Sequence, residues 1–350
     1  MLTKLHVRNF KSLRHVTIDL EPFTVFVGPN GSGKTSILQA IDLICQPVIP
    51  HGKADAVLNR LSASKSRGVS EPVEMILTSK SMRWRMRERL PQLPLERRPR
   101  GGVFWDGAGT GVSLTPTADS WHPRKSGEHI PPNTTVLQLE LSSLRNPDIG
   151  EREFLRILPS GRGLHTCLAS MALNDPDSWH SLQNDLVAII PSIQRLRHAP
   201  ISPQKPISLL LDTHKASNLT VHEVSEGALL VLGMLAVFYS TPRPCVLLID
   251  DMGRGLHPRA QREWVQLLRR TLERHSDLQI IATTHSPYLL DSMRHEEVRL
   301  TLLHDGQTLC APLQHHPDFE KWKMEMAPGE MWSLFGEQWL ASRQEEKLRS

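Results

Sequence analysis

The sequence predicts an α/β fold organised around a phosphate-binding loop, and three stretches carry that prediction. The first is Gly28-Pro29-Asn30-Gly31-Ser32-Gly33-Lys34-Thr35, preceded by the apolar run Phe23 to Val27 and followed by Ile37, Ile41 and Ile44 at helical spacing. The second is the apolar run Val246 to Ile249, which ends in Asp250 and Asp251. The third is Leu278 to Ala282, which ends in Thr283-Thr284-His285-Ser286-Pro287. Short apolar runs bounded by turn residues read as buried strands. Their alternation with helical patterns is the mark of a parallel sheet.

The loop fits G-x-x-x-x-G-K-[ST], and its strand-loop-helix context is the one that this motif requires. Gly28, Gly31 and Gly33 allow backbone conformations that a β-carbon would obstruct. Backbone N–H groups can then converge on phosphate oxygens at the positive end of the following helix. Lys34 is expected to reach the β- and γ-phosphates of a nucleotide, and the Thr35 hydroxyl, beside Ser36, to hold Mg²⁺. The competing reading is a glycine turn at a helix start.

Composition bounds the rest. The 350 residues are 39% hydrophobic and 22% charged, enough apolar material for a core. The four cysteines, Cys45, Cys167, Cys245 and Cys310, form no C-x-x-C pair. That argues against a zinc site or a disulfide framework. The N-terminal residues lack a signal-peptide pattern, and the apolar run around Ala228 to Tyr239 is too short to span a bilayer, so a cytoplasmic protein is expected. The net charge of +4 is unevenly placed: Lys80 to Arg100 holds eight basic and two acidic residues. Any argument for a polyanionic partner therefore rests on that segment.

In chain order, Leu5 and Val7 alternate with His6 and Arg8, and Val16, Ile18 and Leu20 alternate with Thr17 and Asp19. Both patterns predict half-buried strands of a hairpin, with Asn9 to Leu13 between them. Val73 to Leu77 reads as a strand. Arg83, Arg85, Arg87 and Arg89 then alternate with Trp84, Met86, Glu88 and Leu90, which on a strand puts four guanidinium groups on one face. Phosphate backbones attract such a stripe. A solvated sheet face with Trp84 and Met86 packed beneath it is the plainer reading. Val103 to Trp105 and Val112 to Leu114 suggest a second hairpin, and Val136 to Leu141 another strand. Glu151 to Ile190 reads as helical, with apolar sets at Phe154, Leu155 and Leu158, then Leu164, Leu168 and Met171, then Leu182, Leu186 and Ile189.

Ser225-Glu226-Gly227 opens the apolar stretch Ala228 to Tyr239. Ser225 suits an N-cap, and Gly227 permits close approach of another group. Asp250, at the end of a buried strand, can hold Mg²⁺, and Asp251 beside it can position or deprotonate water. A helix-capping pair is the alternative. Gly253 to Pro258 turns the chain, after which Ala260, Trp264, Leu267, Leu268 and Leu272 form one helical face. His285 falls just past a strand end, where open α/β sheets place ligands. A γ-phosphate-sensing role and a structural role both remain open for it.

The set GPNGSGKT, VSEG, LLIDD, GLHP and IIATTHSP, in that order, resembles the ATP-binding-cassette type of ATPase head. More narrowly, it is similar to RecF, to structural-maintenance-of-chromosomes (SMC) heads and to the OLD-like group of "AAA family ATPase" proteins. NFKSL near the start, GLHP and TTHSP favour this branch over transporter subunits, and GEMWSLFGEQWL resembles tails of ATPases encoded beside nuclease-like or defence genes. The likeness covers about residues 1–45 and 220–310. It implies a P-loop NTPase fold of the ABC type, with an antiparallel β lobe, a parallel-sheet core and a helical insertion. It implies ATP and Mg²⁺ as cofactors, Gly28 to Thr35 as the Walker A loop and Asp250 as the magnesium carboxylate. Asp251 falls at the catalytic glutamate position, Ser225, Glu226 and Gly227 on the signature motif, and His285 on the switch histidine. Asn9 and Lys11 fit the early N-F-[KR] motif near the nucleotide. Two heads would sandwich two ATPs, giving a homodimer or higher oligomer that drives a separate effector or nuclease chain, with nucleic acid as a further candidate partner.

Departures from the pattern qualify these implications. Asp251 is one carbon–carbon bond, about 1.5 Å, shorter than glutamate. Met252 and Gly253 replace the usual proline and glutamate, and Val224 the usual leucine. For the Q-loop glutamine, Gln138 is the candidate. The expected organisation is one two-lobed ATPase domain: residues 1–148 with the phosphate loop and hairpins, a helical insertion over 149–200, residues 201–312 with signature, acidic pair and histidine, and a tail over 313–350. The expected function is a Mg²⁺-dependent ATPase whose dimerisation drives an effector in a DNA-linked or anti-phage system. A slow nucleotide-gated interaction module and a RecF-like repair ATPase are the alternatives, with a transporter subunit least favoured.

Overall fold

The computed structural model describes residues 1–45, 64–69, 71–80, 83–87, 103–107, 110–114, 132, 134–146, 157–202, 205–240 and 244–349. In chain order the first elements are β1 (Leu2–Phe10), β2 (Leu13–Asp19), β3 (Phe23–Val27), α1 (Lys34–Cys45), β4 (Glu74–Ser79), β5 (Arg83–Arg87), β6 (Val103–Gly107) and β7 (Thr110–Leu114). Next come β8 (Thr134–Leu137), α2 (Leu141–Arg145), α3 (Leu164–Asn174), α4 (Pro176–Ile189), β9 (Ile193–Ser202), β10 (Lys205–Thr213), β11 (Leu219–Thr220) and α5 (Glu226–Tyr239). The chain continues through β12 (Val246–Ile249), α6 (Pro258–Arg274), β13 (Gln279–Thr284), α7 (Pro287–Leu290), β14 (Val298–His304) and β15 (Gln307–Pro312). It ends in α8 (Phe319–Trp322), α9 (Pro328–Phe335) and α10 (Trp339–Arg349). These elements form two compact units: residues 1–134, 245–248 and 277–350, and residues 135–244 and 249–276.

The first unit holds the two sheets that the sequence patterns anticipate. An antiparallel sheet runs β2-β1-β4-β5. Leu5 pairs with Ile18 and Val7 with Val16, so the alternating apolar residues share one buried face. Only Lys11 and Ser12 connect β1 to β2, with Lys11 at φ 52°. The core sheet runs β15-β14-β3-β13-β12. Both β13 and β14 are parallel to β3. Every residue of β3, β12 and β13 is buried, as expected of parallel strands covered on both faces. Gln279 secures the start of β13: its side chain accepts from the Leu2 N–H and donates to the Leu2 and Glu21 carbonyls, all at 2.8–2.9 Å.

In the second unit, α5 is buried on almost every side, as its unbroken apolar sequence requires. Phe238 meets Trp264 edge-on at 5.7 Å, and the Tyr239 hydroxyl donates to Asp185 at 2.5 Å. A three-stranded antiparallel sheet runs β11-β10-β9.

Several expectations change. The strand expected over Val136 to Leu141 ends at Leu137, because the Gln138 and Glu140 N–H groups bond to Pro159 and Ser160 carbonyls, at 2.9 and 2.8 Å, and α2 follows. Leu158, assigned to a helical face, lies in a turn and is 37% exposed. Gly161 and Gly163, at φ 94° and 91°, keep that segment out of the helix, which starts at Leu164. β9 and β10 had no counterpart in the sequence reading. The strand expected through Leu90 is described as far as Arg87, and Arg89 lies outside the described residues, as do Phe154 and Leu155.

Candidate nucleotide-binding site

In the first unit the site begins at the end of β3. Gly28, Gly31 and Gly33 take φ values of 151°, 77° and 99°, a region that L side chains rarely adopt. Space adds a second constraint at two of them. A Cβ on Gly28 would lie 2.1 Å from the Thr301 carbonyl oxygen, and one on Gly33 would lie 2.1 Å from Thr308 Oγ1. The loop is therefore held between α1 and the β14–β15 hairpin.

Hydrogen bonds fix the same contact. Ser32 Oγ lies 2.7 Å from Thr301 Oγ1, which donates to the Val27 carbonyl at 3.0 Å. Thr308 Oγ1 donates to Ser12 Oγ at 2.8 Å. Ser12, Thr301 and Thr308 were missed by the sequence reading. No local signal marks the two threonines, since Arg299 and Gln307 also interrupt the same strands.

Lys34 is 5% exposed. Its ammonium donates to the Gly28 carbonyl at 2.9 Å, the Pro29 carbonyl at 2.7 Å and Ser32 Oγ at 3.4 Å. Three acceptors match its three N–H donors. Dipoles thus solvate a buried charge at the place where a phosphate oxygen would interact most strongly with it. Pro29, Asn30 and Gly31 are exposed, and Thr35 and Ser36 are half-buried in the first turn of α1.

The N-F-K stretch sits beside this loop. Asn9 is buried, with φ 59°, and its side chain donates to the Pro72 carbonyl at 3.2 Å. Lys11 is exposed, and its ammonium bonds to Gln39 on α1. The Lys11 carbonyl accepts from Ser66 Oγ at 2.6 Å. Register places His285 as well. Thr284 pairs with Val27, so His285 is level with Gly28, one step past each strand. Its side chain is exposed, between Thr284 and the Ser286 N-cap of α7.

In the second unit, Asp250 follows β12, and its N–H bonds to the Leu137 carbonyl at 3.1 Å. Asp251 takes φ 54°, a left-handed conformation that aspartate and asparagine tolerate better than longer side chains do. Both carboxylates line a cavity of about 240 Å³ with Gln138, Glu140, Leu230, Met234 and Arg254. The Gln138 candidate thus shares a cavity with the acidic pair. Gln261, buried in α6, holds the turn after the pair by donating to the Gly253 and Leu256 carbonyls at 3.1 and 3.0 Å.

Ser225 caps α5, accepting from the Ala228 N–H at 3.3 Å. Ser225 and Glu226 are exposed while Gly227 is buried. A Cβ on Gly227 would lie 2.5 Å from the Gly255 carbonyl oxygen. So the structure gathers Asn9, Lys11, the glycine loop and His285 in one unit, and Ser225 to Gly227, Asp250, Asp251 and Gln138 in the other.

Thr35 in the first unit offers a hydroxyl and half-exposed Asp250 in the second a carboxylate, and each is a hard oxygen donor of the type that Mg²⁺ takes. Among the described residues there is no cluster of three or more His, Cys, Asp or Glu side chains for another metal. The arginine stripe is only partly as expected. Trp84 and Met86 are buried and Arg83 is exposed, but Arg85 is ion-paired to Glu74, with its Nε donating at 2.6 Å. Arg87 lies in β5; its side chain and all of Arg89 fall outside the described residues. No helix among the described residues is long and apolar enough to cross a membrane.

Comparison with known proteins extends this picture. Residues 138–291 match the family described as "AAA domain, putative AbiEii toxin, Type IV TA system", and residues 1–74 match "AAA ATPase domain". The chain is 24% identical to the OLD nuclease of Thermus scotoductus over 86% of its own length and 62% of that protein. It is 25% identical to the Septu protein PtuA of Bacillus mycoides over 86% of its length and 40% of that protein. It therefore spans less than two thirds of either relative. A 44-residue stretch, 12% of each chain, is 52% identical to the DNA replication and repair protein RecF of Acinetobacter baumannii. Among solved structures, an SMC head bound to the C-winged helix domain of ScpA aligns over 91% of this chain and 99% of its own, with a TM-score of 0.61 at 16% identity. An SMC head from Pyrococcus furiosus, bound to the C-terminal domain of ScpA, aligns over 93% and 99%, with a TM-score of 0.58 at 15% identity. The fold is that of the SMC heads, and the sequence matches are to AAA-type domain models and to OLD, Septu and RecF proteins.

Proposed function

We propose that this chain binds ATP with Mg²⁺ and hydrolyses it to ADP and phosphate, and that ATP-dependent pairing of two copies drives an effector protein. The observation that carries this reading is Lys34, buried within a three-glycine loop with its ammonium against the loop's own carbonyls. Triphosphate oxygens replace those carbonyls with charged acceptors, which form stronger hydrogen bonds. Thr35 and Asp250 are the residues that would offer oxygen ligands to the metal, which when bound would neutralise charge on the phosphates. Asp251 orients or deprotonates the attacking water, and His285 senses the γ-phosphate.

Exposed Ser225 at the N-terminus of an otherwise buried helix supports pairing, since its hydroxyl and the backbone N–H groups there can meet the phosphate of a second copy's nucleotide. The effector is a separate protein, in a DNA-linked or defence setting. The likeness to an OLD nuclease and a Septu protein favours that setting, and the SMC heads that resemble this chain are themselves bound to a protein partner. Nucleic-acid contact through Arg83 and its neighbours is part of the same proposal.

The test is sedimentation of the Asp251→Asn protein with and without ATP, beside a turnover assay of the parent. ATP-dependent dimers of the variant and measurable phosphate release by the parent are expected. A variant that stays monomeric with saturating ATP contradicts the pairing. A slow nucleotide-gated module is the second reading, favoured by aspartate at position 251, and a parent that binds ATP with almost no turnover supports it. A RecF-like repair role is supported by short matches, of which the 44-residue stretch is one.

A further inference from the structure

The C-terminal tail packs onto the short helix that follows His285, and the contact admits only glycine. A Cβ on Gly329 would lie 2.0 Å from the Pro287 carbonyl oxygen and 2.5 Å from Asp291 Oδ1. No left-handed φ is involved at Gly329; what excludes a side chain is space. The same Pro287 carbonyl accepts the Asp291 N–H at 2.9 Å, so it cannot turn aside without opening α7.

Both partners of the contact are held from elsewhere. Helix α9 starts with Pro328, its first turn is closed by the Ala327 N–H donating to Glu330 at 2.9 Å, and Met331 beneath it is fully buried. Its far end is fixed where Phe335 stacks on His316 at 4.6 Å. Helix α7 rests on buried Leu289 and Leu290. Upstream, Thr284 Oγ1 accepts the Ser286 N–H at 3.2 Å, and Ser286 Oγ accepts the Leu289 N–H at 3.4 Å. His285 therefore lies inside the first of two successive hydrogen-bonded turns, and α7 and α9 brace the second.

We propose that Gly329 is a positioning residue for His285: by letting α9 seat against Pro287, it fixes the backbone that carries the histidine at the level of the phosphate loop. This inference rests on the γ-phosphate-sensing role given to His285 above. A displacement on the order of 1 Å in such a group costs up to about 100-fold in rate while leaving ground-state binding little changed.

The experiment is a double-mutant cycle on the full chain, with kcat and KM for ATP measured for the parent, Gly329→Ala, His285→Ala and the double variant. Gly329→Ala is expected to lower kcat about tenfold, with KM changed less than about twofold. In the His285→Ala background the same change is expected to lower kcat by less than about twofold. An equal factor in both backgrounds marks a general destabilisation and overturns this proposal alone. If His285→Ala leaves kcat unchanged, the role of His285 fails and this inference fails with it. Should Gly329→Ala not fold, Met331→Ala loosens α9 without a collision. It is expected to give the same kcat loss, again absent without His285, and an unchanged kcat would overturn the proposal.

Discussion

Gly227, in the S-E-G triplet, lies against the carbonyl of Gly255, in the turn that follows the acidic pair: a Cβ at 227 would come within 2.5 Å of that oxygen. The helix that begins with Ser225 and the turn that begins with Asp251 are thus packed backbone to backbone. Gly227→Ala should destabilise the protein by about 1–3 kcal/mol, the usual cost of overpacking. Denaturant unfolding measures it, and an unchanged midpoint would show that the turn yields freely.

Asp251 combines a carboxylate with φ 54°. Asparagine shares that tolerance, so Asp251→Asn should fold and bind ATP while turnover drops by about 100-fold or more, as general-base losses do. Asp251→Glu adds reach but strains the backbone by about 1–2 kcal/mol. It should fail to raise turnover, and a several-fold increase in phosphate release would contradict this reading of the position.

On β5, the two described arginine side chains should differ. Arg83 is exposed, whereas Arg85 is already ion-paired with Glu74. Arg83→Gln is expected to weaken duplex DNA binding and to reduce the slope of log K against log salt by about 1. Arg85→Gln should change both less. Titrations at several salt concentrations measure this, and equal effects would remove the distinction.

Burial first, and His165 nearby second, lower the pKa of His198 from 6.5 to about 4. The unfolded chain takes up this proton near pH 6.5 and the folded chain only near pH 4. The stability associated with neutral His198 is therefore complete above about pH 6.5 and is lost as pH falls toward 4. His6 and His316, lowered chiefly by burial, act in the same direction. Thermal unfolding across this range should show a falling midpoint, with a shallower fall for His198→Gln. An identical pH dependence for the variant would exclude His198 as a source.

What the sequence made legible was local. The three loop glycines announce positive φ values whatever lies around them, and the alternation in β1 and β2 announces a buried face. Ser225 as a cap and the turn at Gly253 are short-range signals of the same kind. What stayed hidden depends on distant partners. The strand β9 alternates poorly and carries Pro200, and it is specified by pairing with β10. Gln138 is a candidate from the resemblance, but its cavity with Asp250 and Asp251 is visible only in the fold. Gly329 resembles any helical glycine until Pro287, far away in sequence, is found against it. Thr301 and Thr308 are hidden in the same way, because only the closed sheet brings them to the phosphate loop.

The most direct measurement is ATP affinity by calorimetry for the parent and for Lys34→Ala, in the presence of Mg²⁺. The ammonium forms charge-assisted hydrogen bonds to phosphate, each contributing about 1.5–3 kcal/mol. Affinity should therefore fall about tenfold to hundredfold, with phosphate release lost alongside it and the fold retained by circular dichroism. Equal ATP affinity and equal phosphate release in parent and variant would contradict the account at its base.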